Sequence, residues 1–146
     1  MEVCTPKDSN LSQAVMSGGG TARRVGLFNG YDLATRTGLQ RVLHLCRSEK
    51  PRRVVFSPPC GADSSIQELN MLTPEGVRKV NEKRRKSRKI RANIRVVIEW
   101  LLRDSKDTHI DYEQPLTCRS WKCPTLSGLL EQTAACTESD ALTPMS

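Results

Sequence analysis

An α/β fold, with a parallel sheet and crossover helices, is predicted by three features of this chain. Short strand-like runs at residues 2–4, 24–28, 54–56 and 110–112 alternate with stretches of helical periodicity. Turn chemistry separates the runs, and the connections are long enough to carry a helix from one parallel strand to the next. The length, 146 residues, is one domain's worth of chain with a core large enough to fold alone.

Residues 2–4 read as a short edge strand. Thr5-Pro6-Lys7-Asp8-Ser9-Asn10 is rich in turn and capping residues and starts a brief helix through Val15. Ser17-Gly18-Gly19-Gly20-Thr21 breaks that helix, and residues 24–28 form the next strand despite Gly26. Asn29-Gly30-Tyr31-Asp32 is a turn. A helix over residues 37–47 places Leu39, Val42, Leu43 and Cys46 on one face. Residues 54–56 are all apolar, as expected of a strand buried on both sides. Thr73-Pro74 pairs a cap with proline at the first helical position. The helix it opens runs to about residue 103, with Ile90, Ile94, Val97, Ile98 and Leu101 as a core-facing stripe. Residues 1–130 are the α/β domain by this reading, and 131–146 are a loose polar tail rich in Thr and Ser.

Charge points to a class of partner. The formal net charge is +7, and between Arg78 and Arg95 there are ten Lys or Arg against one Glu. A solvated helix face needs fewer cations than this. Clustered cations displace counterions from phosphates and give strong, salt-dependent affinity indifferent to sequence, which makes Arg84, Arg85, Lys86, Arg88 and Lys89 candidate contacts to nucleic acid, DNA foremost. Nothing in the chain has the pattern of a base-reading helix.

There is no run of eighteen apolar residues, and the start carries Glu2, Lys7 and Asp8 in place of a basic segment before an apolar one. Membrane spanning and secretion are disfavoured, and an intracellular location, the nucleus included, is expected. The six cysteines lack a paired framework and read as reduced thiols. Cys118 and Cys123 are the nearest pair to a zinc pattern, with His109 and Cys136 the available completions, and no metal site is expected.

The chemistry-bearing signal is Ser57-Pro58-Pro59-Cys60-Gly61-Ala62-Asp63-Ser64, placed directly after an apolar strand. Two prolines end the strand and aim the cysteine off the sheet edge. A second strand ends in Glu113-Gln114-Pro115. Ligands of open parallel sheets bind at the carboxyl ends of strands, so Cys60 and Glu113 are a candidate nucleophile and proton manager of one site.

These segments resemble the cytosine carbon-5 DNA methyltransferases, whose nucleophile lies in a Pro-Cys loop with a serine a few residues on, here Ser64. Glu113-Gln114-Pro115 is similar to that family's Glu-Asn-Val element. Residues 2–121 as a whole look like small methyltransferase-like modules of protist genomes, found within retroelement-derived polyproteins. The resemblance implies a partial Rossmann-like sheet, S-adenosylmethionine as cofactor and DNA as substrate, with Cys60, Ser64 and Glu113 catalytic. It implies Glu2, Asp32 and Pro58 at the cofactor and Arg119 as a substrate contact. No glycine follows the first strand, Gly18, Gly19 and Gly20 come later, and only 33 residues follow Glu113 (146 minus 113). The form implied is therefore degenerate or truncated. The competing reading of the same residues is a noncatalytic, basic nucleic-acid-binding module or a retroelement-derived fragment.

Overall fold

The computed structural model describes residues 1–115, 118–124 and 127–128. The tail expected at 131–146 lies outside them. The elements are β1 (Glu2–Val3), α1 (Asn10–Ser17), β2 (Arg24–Val25), α2 (Arg36–Glu49), β3 (Arg53–Phe56), α3 (Pro74–Asp104) and β4 (His109–Tyr112), with short 3₁₀ turns between them. All strand pairs are parallel, in the order β2-β1-β3-β4. This is an α/β architecture with a partial Rossmann-like sheet. The order reverses between β1 and β3, where β1 leads outward to β2 while α2 carries the chain back across β1 to β3.

Two expectations change. Residues 2–4 do not form an edge strand: β1 lies inside the sheet, between β2 and β3. Strand order depends on which way each crossover runs, and a two-residue strand carries no pattern that records it. The run 24–28 stops pairing at Val25, because the Gly26 amide bonds to Asn29 Oδ1 and Leu27–Asn29 winds into a 3₁₀ turn. Gly26 is needed there, since a Cβ would lie 2.6 Å from the Thr5 carbonyl oxygen.

The helix starts follow from their caps. Ser9, Thr35 and Thr73 each accept an amide from the first turn, at Ser12, Gly38 and Gly76 respectively, and Pro74 sits where no donor is required. Helix α2 ends at Lys50, whose φ of 43° is left-handed, with its amide on the Cys46 carbonyl.

The two sheet faces differ sharply. Val3, Val25, Val54 and Phe56 are fully buried on one face, against Val42 and Cys46 of α2 and Ile94, Val97, Ile98 and Leu101 of α3. Burying each such aliphatic side chain contributes about 1.5–3 kcal/mol. Side chains alternate along a strand, so Glu2, Arg53, Val55 and Asp111 occupy the other face. That face is mostly polar. Helix α1 lies against it, and beside α1 a groove of about 920 Å³ is bordered by Leu11, Val15, Arg53, Val55 and Asp111.

Helix α3 outruns the sheet. Its 31 residues span about 46 Å at the helical rise, whereas a strand of four residues covers about 13 Å. Residues 90–101 cover the sheet, and the half before them extends past the carboxyl edge, with the 3₁₀ turns Gly61–Asp63 and Ser65–Met71 packed on it. The basic run is therefore carried to the end of the sheet at which Cys60 and Glu113 lie. Among the described residues no helix is long and apolar enough to cross a membrane.

Candidate functional site

Strands β3 and β4 are neighbours in register, with Phe56 beside Tyr112, so the chain leaves both at the same edge. The Glu113 amide donates to the Phe56 carbonyl at 2.8 Å and extends the ladder one step. One residue on, Ser57 Oγ donates to Glu113 Oε2 at 3.1 Å. The Gln114 amide nitrogen reaches the Pro58 carbonyl at 2.5 Å and ties the two exits together. Pro58 is buried, Pro59 is exposed and Cys60 is partly exposed. The Cys60 carbonyl accepts the Asp63 amide at 2.9 Å, closing a single turn behind the thiol. Ser64 is extended and its carbonyl accepts the Gln67 amide at 3.1 Å.

A second thiol stands at this edge. Cys4 follows β1 with φ of 64°, and burial, reinforced by the nearby Asp32 carboxylate, pushes it up to about 12. It is protonated at neutral pH and is no nucleophile there.

The acids assigned to the cofactor are already engaged. The Glu2 carboxylate is buried on the polar face, where it accepts Thr5 Oγ1 at 2.8 Å, Ser9 Oγ at 2.6 Å and the Ser12 hydroxyl. Burial opposes its charge, yet the three hydroxyls outweigh burial and hold it below the usual glutamate range. Its work is to fasten the start of α1 to β1. Asp32 takes the Ala34 amide on Oδ1 at 2.9 Å and faces Lys86 Nζ from Oδ2 at 3.6 Å. Gly38 packs so closely on the Asp32 carbonyl that a Cβ would sit 1.9 Å from its oxygen. With Glu2 turned to α1 and no glycine after β1, S-adenosylmethionine fits this edge poorly: Asp32 alone of the three residues offers a partly exposed carboxylate. Among the described residues no three His, Cys, Asp or Glu side chains gather to hold a metal ion.

The basic residues divide into two groups. Arg84 donates Nε to the Ala62 carbonyl at 3.3 Å and Lys86 faces Asp32, so both brace loops of the carboxyl edge. Arg85, Arg88 and Lys89 are exposed and form no ion pair among the described residues, as does Arg78 two turns before Arg85. Spaced three and four apart, Arg85, Arg88 and Lys89 share one outward helix face. Arg119 pairs with Glu68, in the turn that follows Cys60. Trp121 packs edge-on against Tyr112, with ring centroids 5.6 Å apart, and donates its indole N–H to the Pro115 carbonyl at 2.9 Å, an anchor for the segment after β4.

Sequence reasoning passed over Asp63, Ser87, Arg91 and Gln114. Ser87 and Arg91 are buried on the same face of α3 as Ile94 and Ile98. Polar residues falling on a core-facing stripe were the available signal. Their partner, Asp63, lies three residues past Cys60 and carries no local pattern of its own.

The groove beside α1 includes neither Cys60 nor Glu113. Compared with protein-family models, curated proteins and solved structures, the chain matches none of them.

Proposed function

We propose that the chain is a degenerate methyltransferase-like module that binds nucleic acid through the projecting half of α3. The observation that carries this reading is the exposed face of Arg78, Arg85, Arg88 and Lys89, unpaired among the described residues and lifted beyond the sheet edge. Cations held on a rigid helix and not neutralised by neighbouring acids are suited to phosphate oxygens, with DNA the foremost partner. The test is the salt dependence of binding to unrelated duplexes, with the exposed cations replaced by Gln. Equal loss on every sequence is the expected signature.

A second reading, the cytosine carbon-5 enzyme of the resemblance, is favoured by the shared edge of β3 and β4. In it, Cys60 as thiolate adds to carbon 6 of an unstacked cytosine while Glu113 protonates the ring at N3, leaving carbon 5 electron-rich. Ser57, bonded to Glu113 at 3.1 Å, orients that carboxyl. Solvent then protonates carbon 5 and takes up the original carbon-5 proton, and the thiolate is expelled as N3 returns its proton to Glu113, so that cytosine and both side chains are restored. The step consumes nothing, so it is measurable without a cofactor. The assay is release of tritium from carbon 5 of labelled cytosine in DNA by the wild type and by Cys60→Ala. Release abolished by the substitution supports the enzyme, and none above background with folded protein leaves binding as the activity.

A further inference from the structure

We infer that Arg91 is a positioning residue for Cys60, acting through Asp63 as a latch between α3 and the loop that carries the thiol. Arg91 Nη1 donates to Asp63 Oδ2 and, at 2.7 Å, to Ser87 Oγ. Ser87 Oγ donates to the same carboxylate oxygen at 2.9 Å, so three side chains close a triangle. The pair is nearly dry, with 8% of the Arg91 side chain and 13% of the Asp63 side chain exposed. One turn before Ser87 and two before Arg91, on the same helix face, Arg84 holds the Ala62 carbonyl. Successive turns of α3 thus grip two consecutive residues of the loop, while Ile90 and Ile94 root that helix in the core.

The grip reaches the thiol through the backbone. The Asp63 amide bonds to the Cys60 carbonyl, so Asp63 and Cys60 belong to one turn and move together. On the other side Pro58 is held by Gln114. Between these anchors only Pro59, Cys60, Gly61 and Ala62 intervene, and proline removes backbone freedom from the first of them. A buried ion pair is weak evidence of stability but a good device for fixing one arrangement, because either partner left alone in the interior is strongly disfavoured. Its value here is therefore placement. The consequence for catalysis rests on reading Cys60 as a nucleophile, whereas the latch itself does not.

The experiment measures alkylation of each cysteine by iodoacetamide in the full chain, resolved by mass spectrometry. Buried Cys46, 1% exposed, reports global opening in the same molecules. Asp63→Asn is expected to raise the Cys60 rate relative to Cys46 by a factor of roughly 5–30, the span that one lost contact gives an open–closed equilibrium. The double variant Asp63→Leu with Arg91→Met removes both buried charges and the stability penalty of an unpaired one. It is expected to keep Cys60 fast while Cys46 returns to its wild-type rate. Equal acceleration of both cysteines, or no change at Cys60 in either variant, overturns the latch. Selective release of Cys60 in a protein that shows neither salt-dependent binding nor tritium release keeps the latch and removes the proposed function.

Discussion

Replacing Arg85, Arg88 and Lys89 together by Gln isolates three exposed cations with no partner among the described residues from Arg84 and Lys86, which brace loops. Each phosphate contact contributes roughly 0.9 to the slope of log K against log salt on duplex DNA, so three contacts account for a slope of roughly 2.7. Between 1 M salt, where this contribution vanishes, and about 0.15 M, the concentration falls by a factor of about 7, which raised to that slope is an affinity loss of roughly two orders of magnitude. The paired control, Arg84→Gln with Lys86→Gln, is expected to lower the slope by much less, because those side chains already serve Ala62 and Asp32. Fluorescence anisotropy with two unrelated duplexes across a salt series reads both quantities. Stability should change by less than about 0.5 kcal/mol per exposed site. An unchanged slope in the triple variant, or an equal drop in the control, refutes the assignment of the projecting half of α3 as the phosphate-binding face.

Two further outcomes test the architecture. Ile94 is fully buried between α3 and the sheet, so Ile94→Ala is expected to cost about 2–5 kcal/mol in urea unfolding; a loss below about 1 kcal/mol would place the sheet cover elsewhere. The depressed value of Glu2 means that its contribution is complete above the ordinary glutamate range and disappears as pH falls through the lowered one. Glu2→Gln should therefore lower stability at neutral pH and flatten the acid limb of a stability–pH profile, and an acid limb unchanged by the substitution contradicts the hydroxyl cluster as the anchor of α1.

Periodicity and caps made most of the fold legible in the chain itself. Thr73-Pro74 located the start of α3, and the stripe of Ile94, Val97, Ile98 and Leu101 identified the face that covers the sheet, because helix signals act over one or two turns of contiguous sequence. The proline pair before Cys60 and the carboxylate after β4 marked two strand ends for the same reason: strand termination is a local backbone event. Strand order was decided only in three dimensions. The two residues of β1 are too few to show burial from both sides, and whether α2 crosses over β1 depends on packing against α3. The fates of the charged side chains were also tertiary. Helical phase puts Arg91 on the core-facing side and Arg88 on the outer one, but nothing local names Asp63 as the partner that Arg91 finds, nor separates Glu2, taken up by three hydroxyls, from an acid free to hold a ligand. Local backbone preference is written into neighbouring residues, whereas the neutralisation of a charge depends on whichever distant group the fold brings within hydrogen-bond reach.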